Sequence, residues 1–360
     1  MIRRKPPILI RPRENHVPSR LVLAARLAKL SPMEEIVVVD IGGTHVRFAR
    51  ARIGKGAVVH IAPPMTMPVA AHAGLAEAWA VYARSQTEAL PRAAAIAVAG
   101  PVGAGDVIRL TNSDWHIRRD TLAQTLAPDG LVIVNDFAAM AHAVAHLPAS
   151  GFAHVTGPPH PLPHDGSISV IGPGTGLGVA QMIRWPGGYR VIETEGGHGD
   201  FAALDAVEDA IAARLRSRFG RVSAERIVSG PGLRNIHDAL AERNGRARFC
   251  GDDAALWACS LDGSDPHARA ALQRLCGCFG AVAGNIALIQ GASAVVLTGG
   301  VTERLADRLP RSDFAERFCA KGRFRPLMET ISVCRIAHAE PGLFGAANAY
   351  VHMRYAPAAR

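Results

Sequence analysis

The sequence lacks the cysteine pattern of a secreted or zinc-binding protein. Its 360 residues include six cysteines, and none of them form a CxxC pair. A disulfide framework and a CxxC-type metal site are therefore both disfavoured. Cys276 and Cys278 lie one glycine apart in a long apolar helical pattern, where small core residues are expected. We expect free thiols and a cytoplasmic protein.

The sequence also lacks an uninterrupted apolar run that would cross a bilayer. Its most apolar region, 276–300, is broken by Asn285, Gln290 and several glycines, which predicts a buried helix followed by a buried strand. The first 33 residues contain only the short apolar patch Leu21–Ala28 and no small-residue cleavage site, so a secretory signal is not expected. We expect no membrane partner.

The sequence has little net positive charge outside the N-terminus. The net charge is +9, but residues 1–30 hold eight Lys or Arg and one acid, a net of +7, so the rest of the chain is close to +2. A broadly basic nucleic-acid-binding surface is therefore not expected. We predict that 1–34 is a disordered basic extension, or that translation starts at Met33; a nucleic-acid-binding arm is the weaker alternative.

Two glycine-rich turns join pairs of predicted strands. Asp40–Thr44 lies between two apolar runs, and Gly172–Gly178 repeats the arrangement. Glycines allow positive φ and the close approach of an anion, and the free N–H groups of such turns can bind phosphate oxygens. An ordinary hairpin is an equal alternative for the first turn taken alone.

Neither turn fits a common nucleotide-binding motif. A dinucleotide fingerprint needs a helix after its glycines, whereas Trp185–Gly188 predicts a strand and a turn, and no GxxxxGK[ST] P-loop occurs. Two hairpin tips that face each other across a cleft would instead clamp a polyphosphate.

The remaining patterns alternate strands and helices, which indicates an α/β fold with two architecturally similar halves. Leu131–Val134 is typical of a strand buried on both faces of a parallel sheet. It ends at Asn135 and Asp136, where open α/β sheets place their chemistry; Asp136 as the N-cap of the next helix is an alternative of similar weight. The other main predicted strands are 57–61, 93–99, 106–111, 294–297 and 332–337, and the predicted helices are 71–88, one after Trp115, 137–147, 204–219, one that ends near 243, 267–290 and one from 341.

Ten segments between residues 35 and 355 resemble the bacterial glucokinase family in the family's order. They are Asp40–Thr44, Thr111–Asn112, Asn135–Phe137, Gly172–Ala180, Glu195–His198, Ser223–Arg226, Ser229–Leu233, Thr298–Gly300, Lys321–Phe324 and Pro341–Gly345. The resemblance implies two RNase H-like (actin-like ATPase) α/β domains with an interdomain active-site cleft. The small domain would comprise 35–146 plus 338–360, and the large domain 147–337.

The resemblance further implies transfer of the γ-phosphoryl group of ATP to the 6-hydroxyl of D-glucose, with Mg²⁺. Asp136 matches the catalytic base, and Asp40 would lie near the metal. Positions that match the family's glucose-binding residues are Asn112, Asn135, Asp136, Glu195, His198 and Glu225. Positions that match the nucleotide site are Asp40, Ile41, Gly42, Gly43, Thr44, Gly174, Thr175, Gly176, Gly299 and Gly300.

Some features depart from the family or leave alternatives open. The N-terminal extension is not typical, the residues after Asn112 differ from the family's usual sequence, and the zinc motif of the related ROK sugar kinases is absent. The alternatives are another hexose as acceptor, polyphosphate as donor, a sugar-responsive regulator that retains the kinase fold, and a chaperone ATPase. We expect a homodimer that binds glucose and ATP.

Overall fold

The structure is a computed structural model that describes residues 33–103, 105–110 and 114–355. The predictions for the N-terminal extension before Met33 and for Asn112 lie outside the described residues. The strands are β1 (Glu34–Ile41), β2 (His45–Gly54), β3 (Ala57–Ile61), β4 (Met65–Pro68), β5 (Ala93–Val98), β6 (Val107–Arg109), β7 (His116–Arg118), β8 (Gly130–Asn135), β9 (Phe152–Thr156), β10 (Gly166–Pro173), β11 (Leu177–Trp185), β12 (Gly188–Thr194), β13 (Ala292–Leu297) and β14 (Ser332–Ile336). The α-helices are α1 (Leu75–Ser85), α2 (Arg119–Thr125), α3 (Asp136–His146), α4 (Ala206–Phe219), α5 (Gly230–Arg243), α6 (Asp253–Asp262), α7 (Pro266–Ile289), α8 (Gly300–Arg304), α9 (Phe314–Cys319), α10 (Arg325–Met328) and α11 (Pro341–Tyr355).

Two mixed sheets share one strand order. The first sheet runs β3-β2-β1-β5-β8, with β4 also paired to β2; the second runs β12-β11-β10-β13-β14-β9. In each sheet the glycine-turn hairpin is antiparallel, and the next two strands add in parallel to its first strand. The predicted repeat of architecture is therefore present in the topology.

Alternation along β1 explains why both faces of the first sheet are covered. Val37 and Val39 pack with Trp79 of α1 on one face. Ile36 and Val38 belong to the cluster on the other face, which α11 covers. Period-two alternation with apolar residues on both sides makes β1 a central strand.

Helix α3 lies between the two sheets. Ala138 and Ala139 pack in the cluster of the first sheet with α11, whereas Ala141 and Val144 pack against strands of the second sheet. A Cβ on Gly345 of α11 would lie 1.9 Å from the Ala139 carbonyl oxygen, so glycine permits the close crossing of α11 and α3. The two helices thus connect the sheets through small residues.

Two local predictions need correction, and several short elements were missed. The strand Leu131–Val134 is only half-buried except for Val134, because β8 lies at the end of its sheet. The helix expected directly after Trp115 starts at Arg119, because His116–Arg118 pairs with β6. The elements that were not predicted are the helices α6, α8, α9 and α10 and the strands β4, β7, β9 and β12.

One helix, Pro266–Ile289, is long and apolar enough by length and composition to cross a membrane. Its most apolar window is 72% buried within the structure. Leu272, Leu275 and Phe279 belong to the main core cluster of the second half. As the sequence predicts for 267–290, α7 is a core helix, and Cys276 and Cys278 are buried free thiols within it.

Candidate active site

The carboxyl ends of three parallel strands bring the predicted catalytic residues to one edge of the first sheet. Asp40 of β1 pairs with Ala97 of β5. The next residue of β5, Val98, pairs with Asn135 of β8. Parallel pairing through β5 therefore places Asp40 at the same edge of the sheet as the end of β8, from which α3 and Asp136 follow. Open α/β sheets bind ligands at this edge.

Asn135, not Asp136, is the N-cap of α3. The Oδ1 atom of Asn135 accepts hydrogen bonds from the N–H groups of Phe137 at 2.9 Å and Ala138 at 3.2 Å. Its Nδ2 donates to the Gly100 carbonyl at 3.1 Å. Since the capping role belongs to Asn135, the alternative that Asp136 serves only as the cap is wrong.

Asp136 is the first residue of α3, and its environment raises its pKa to about 7. The main cause is burial, which disfavours the carboxylate; the negative charges of Asp40 and Glu195 act in the same direction. Hydrogen bonds from the backbone N–H groups of Asp136 and Phe137 oppose the shift. A carboxylate whose pKa lies near neutral pH is suited to accept a proton during catalysis.

Asp40 lies in a charged cluster at the end of β1. Burial raises its pKa to about 6, the nearby Arg47 opposes that shift, and Glu340 adds to it. Arg47 lies 3.6 Å from both Asp40 and Glu340. A Cβ on Gly342 would lie 2.6 Å from the Asp40 carboxylate, so the first turn of α11 packs directly on Asp40.

The two predicted phosphate turns each have three connecting residues. Gly42, Gly43 and Thr44 join β1 to β2, and residues 174–176 join β10 to β11. The expected positive φ is not found at Gly42, Gly174 or Gly176. A Cβ on Gly174 would meet no atom within 4 Å, so its lack of a side chain leaves open space at the turn.

Other elements hold the second turn from behind. The N–H of Gly230 donates to the Gly174 carbonyl at 2.7 Å, and the N–H of Leu177 donates to Oε2 of Glu225 at 3.0 Å. Gly299, at a φ of +86°, lies against this turn, because a Cβ there would be 2.6 Å from the Pro173 carbonyl oxygen. Gly299 and Gly300 are therefore next to the second turn.

Phe137 connects α3 to the same hairpin. Its ring occupies the space over two glycines of the paired strands β10 and β11: a Cβ would lie 2.8 Å from the ring at Gly172 and 1.9 Å at Gly178. Because Phe137 follows Asp136, this packing fixes the start of α3 relative to the second turn. No larger residue fits at Gly178 without moving the ring.

Glu195 and His198 lie in an exposed turn beside β11. His198 Nε2 is 3.9 Å from a Glu195 carboxylate oxygen, and both side chains are more than half exposed. The turn packs closely on β11 because a Cβ on Gly197 would lie 1.9 Å from the Leu177 carbonyl oxygen. Glu195 also raises the pKa of Asp136, so the turn faces the end of β8.

The structure brings together most of the predicted sites in the described residues. Asp40, Asp136 and Glu195 interact through charge, and Glu225, Gly176 and Gly299 surround the second turn. His198 lies one turn from Glu195, while Thr44, Thr175 and Gly300 are exposed. Ile41 is fully buried.

Arg47, Glu193 and Glu340 were not assigned from the sequence. The register of a three-residue hairpin places Arg47 opposite Asp40, so Arg47 could have been found by pairing β1 with β2. Glu193 Oε1 accepts the Asn135 N–H at 3.4 Å, and burial raises its pKa. Glu340 precedes α11, and no local pattern relates it to Asp40.

Within the described residues, no group of three or more His, Cys, Asp or Glu side chains could hold a metal ion. Asp40 offers a carboxylate at the start of the first turn, and Glu340 lies near it. Mg²⁺ commonly binds through one or two carboxylates together with substrate phosphates and water. The donor set around Asp40 fits that mode of binding.

The sequence and the fold were then compared with those of known proteins. A family model described as Glucokinase matches residues 37–353. A glucokinase from Zymomonas mobilis subsp. mobilis is 52% identical over 318 residues, which cover 88% of this chain and 98% of the relative.

Solved structures show the same fold. A glucokinase from an Antarctic psychrotroph has a TM-score of 0.76 at 31% identity, covering 89% of this chain and 99% of that one. The glucokinase of Balamuthia mandrillaris, solved in complex with glucose, has a TM-score of 0.71 at 20% identity, covering 92% and 99%. The predicted fold class, two RNase H-like α/β domains of the actin-like ATPase type, is confirmed.

Proposed function

The chain belongs to the glucokinase family, and from that premise we propose that it transfers the γ-phosphoryl group of ATP to the 6-hydroxyl of D-glucose, giving glucose 6-phosphate and ADP. The observation that carries the proposal is Asp136, a carboxyl group of raised pKa between a cluster of charged side chains and two glycine turns. An ATP-dependent hexose kinase needs such a base beside a phosphate-binding cleft.

Asp136 acts as the general base in this proposal. Its carboxylate accepts the proton of the 6-hydroxyl as that oxygen attacks the γ-phosphorus in line. Little covalent help is needed, because positioning and charge neutralisation dominate phosphoryl transfer. The N-cap bonds of Asn135 and the ring of Phe137 hold the start of α3, and with it Asp136, in one position.

The polar groups around Asp136 suit a ring of hydroxyls. Glu195, His198 and Glu225 supply carboxylates and an imidazole, and Asn135 retains one amide N–H after its bond to Gly100. We assign these groups to glucose together with Asp136; Asn112 keeps its sequence-based assignment. A site of this kind rejects a sugar that lacks a needed hydroxyl, because its own polar groups are then left unpaired.

The two glycine turns are assigned to the phosphates of ATP. The backbone of Asp40, Ile41, Gly42, Gly43 and Thr44 forms one side of the cleft. Gly174, Thr175 and Gly176 form the other, with Gly299 and Gly300 beside the adenosine. Asp40 would hold Mg²⁺, which when bound with ATP neutralises phosphate charge.

Domain closure completes the proposed mechanism. We assign 35–146 with 338–360 to a small domain and 147–337 to a large domain, since each range contains one of the two sheets. Closure of the two turns on ATP would exclude water, which competes with glucose as acceptor. Small-angle scattering with and without glucose tests it: an unchanged radius of gyration would contradict closure.

A coupled kinase assay tests the substrate assignment. The full chain is given glucose, mannose or fructose with ATP or polyphosphate, and ADP or product formation is followed. We expect the highest kcat/KM with glucose and ATP. A higher value for another hexose, or activity with polyphosphate alone, would replace the corresponding substrate, and no turnover with any hexose would overturn the kinase assignment.

The remaining proposals concern the oligomeric state, the location and the partners of the protein. We propose a homodimer, which light scattering tests against the chain mass of 38.0 kDa. We propose a cytoplasmic protein without a nucleic-acid or membrane partner. Retardation of DNA by the full chain, lost on removal of residues 1–32, would contradict that proposal and favour the regulator.

A further inference from the structure

Strand β12 of the second sheet lies along α3, and one of its side chains reaches the start of that helix. Tyr189 and Glu193 are four residues apart on β12, so their side chains point to the same face of the sheet. The Tyr189 hydroxyl lies 2.9 Å from Nδ1 of His142, and Val191, between the two, packs in the clusters of both sheets. Glu193 Oε1 accepts the N–H of Asn135 at 3.4 Å. Glu193 is therefore the member of this row that lies beside the proposed active site.

The hydrogen bond from Asn135 to Glu193 joins the end strands of the two sheets. Strand β8 is the last strand of the first sheet, and β12 is the last strand of the second. Backbone groups on the outer edge of such a strand have no further strand to pair with. The Asn135 N–H donates instead to a carboxylate of the other sheet, so the two edges meet at the residue that precedes Asp136.

Asn135 is held on its other side by bonds within its own half of the chain. Its Oδ1 accepts the N–H groups of Phe137 and Ala138, and its Nδ2 donates to the Gly100 carbonyl. The bond from Glu193 is different, because it comes from the second sheet. A movement of β12 relative to β8 therefore changes the position of Asn135.

Charge also favours the approach of Glu193 to the first sheet. Burial raises the pKa of Glu193 and the charge of Glu195 adds to that shift, whereas the Asn135 N–H and the charge of Arg119 oppose it. Arg119 begins α2, and its Nη2 donates to the Gly103 carbonyl at 2.6 Å. A guanidinium fixed in this way attracts the ionised Glu193 toward Asn135. An ionised acceptor also forms a stronger hydrogen bond than a neutral one.

The length of the bond leaves room for it to tighten. The distance of 3.4 Å between the Asn135 nitrogen and the Glu193 oxygen exceeds the usual range of about 2.7–3.2 Å. Hydrogen bonds at active sites often reach their full strength only in the complex with substrate. The proposed domain division puts Asn135 in 35–146 and Glu193 in 147–337, so closure of the two domains would shorten this bond.

We propose that Glu193 is a positioning residue of the kinase: on closure its carboxylate draws in the Asn135 N–H and thereby sets Asn135 and Asp136 against the sugar. Arg119 keeps Glu193 turned toward Asn135. Glu193 touches neither glucose nor ATP in this arrangement, and it belongs to none of the ten family-like segments. The inference rests on the proposed function, because it concerns the same active site.

Hydrogen exchange tests the bond without any turnover. In the full chain, Glu193→Ala should speed the exchange of the Asn135 amide about tenfold, the effect of losing one hydrogen bond to a charged group. The amide of Val38, which is fully buried in β1, reports global stability and should exchange at an unchanged rate. Glu193→Gln keeps an acceptor oxygen and should restore part of the protection.

A matched control and a contrary result complete the exchange experiment. Glu88→Ala removes a glutamate whose side chain is 79% exposed, and it should leave the exchange of the Asn135 amide unchanged. Equal exchange of that amide in Glu193→Ala and in the unmodified chain would overturn the proposal.

Steady-state kinetics tests whether the bond positions the catalytic residues. Glu193→Ala should lower kcat/KM for glucose about tenfold and leave the KM for ATP unchanged, because Glu193 contacts Asn135 and not the glycine turns. Glu193→Gln should recover part of the loss. Arg119→Gln should have a smaller effect, and none when Glu193 is already Ala. Normal kcat/KM in Glu193→Ala, or additive effects of the Arg119 and Glu193 variants, would overturn the proposal.

The inference and the proposed function fail separately. An unmodified chain that phosphorylates no hexose contradicts the proposed function, whatever the variants do. Normal turnover of glucose by Glu193→Ala contradicts only the role of Glu193.

Discussion

The two glycine turns occupy equivalent places in their sheets but are held by different forces. Each joins two antiparallel strands of its sheet through three residues, and the first strand of each pair also pairs in parallel with its other neighbour, β5 or β13. Charge surrounds the first turn, in the form of Asp40, Arg47 and Glu340. Backbone hydrogen bonds and an aromatic ring hold the second.

This difference suggests that the two turns have different roles. The first turn lies beside carboxyl groups whose pKa values are raised into the neutral range, so its surroundings respond to pH and to a bound cation. The second turn is held by contacts with Gly230, Glu225 and Phe137. In the proposed function it is therefore the rigid surface against which ATP would be positioned. Asp136 is part of neither turn, so variants of the two turns can be compared by their effect on Asp136.

Asp136→Asn should have the largest effect. We expect kcat to fall by about 10²–10⁴, the usual range for loss of a general base, or roughly 3–5 kcal/mol, with a smaller change in the KM for glucose. Steady-state kinetics at pH 8 measures it. Nearly normal kcat would contradict the assignment.

The same variant should not unfold. Because burial raises the pKa of Asp136 in the folded state, its ionised form opposes folding above pH 7, so the neutral amide should leave the Tm at pH 8 equal or higher. A lower Tm would mean that the kinetic loss includes misfolding, and the comparison of kcat would then need Asp136→Ser.

Gly178→Ala should disrupt the packing of the second turn against α3. The added Cβ would lie 1.9 Å from the Phe137 ring, and overpacking of this kind costs about 1–3 kcal/mol. We expect a lower midpoint in urea and a raised KM for ATP, since α3 and the turn move apart. Gly174→Ala is the matched control for stability, because its Cβ meets no atom within 4 Å; equal stability of the two variants would refute the packing argument.

Glu225→Gln should weaken the binding of both glucose and ATP. Glu225 accepts the Leu177 N–H at 3.0 Å and also belongs to the proposed glucose set. Loss of its charge weakens a charge-assisted bond, so we expect the KM values for glucose and ATP to rise together, by about tenfold or less. Calorimetric titration of each ligand checks this. A change for glucose alone would mean that Glu225 does not support the second turn.

The two strand–turn–strand units and the position of Asp136 at the carboxyl end of a strand could be predicted from the sequence, because apolar runs that end in polar residues are typical of strand ends. The contacts that hold the two turns in place could not be predicted. Arg47 is local to its hairpin, but Glu340 and Gly342 reach Asp40 from the far end of the chain, and Phe137 meets Gly178 only through the packing of α3 on the second sheet. Long-range contacts of this kind leave no periodicity in the sequence.

Asp40→Asn should have the smallest effect on structure. The pH dependence of kcat/KM in this variant should show whether the charge beside the first turn affects Asp136. In the unmodified chain, kcat/KM should fall as the pH drops below about 7, because Asp136 is then protonated and cannot accept the sugar proton. The negative charge of Asp40 contributes to the raised pKa of Asp136. Without that charge the pKa of Asp136 is lower, so the acidic limb should move to lower pH.

The relevant measurement is the pH at which kcat/KM falls on the acidic side of the profile. The maximum rate is not suitable, because Asp40→Asn also alters the proposed Mg²⁺ position and can reduce that rate. Asp209→Asn, an exposed acid on α4, is the control and should leave the limb in place. The two carboxyl groups interact, so the profile reports apparent values for the pair. If the limb stays at the same pH in Asp40→Asn, the first turn does not tune the base, and the charge around it serves only to position Arg47 and α11.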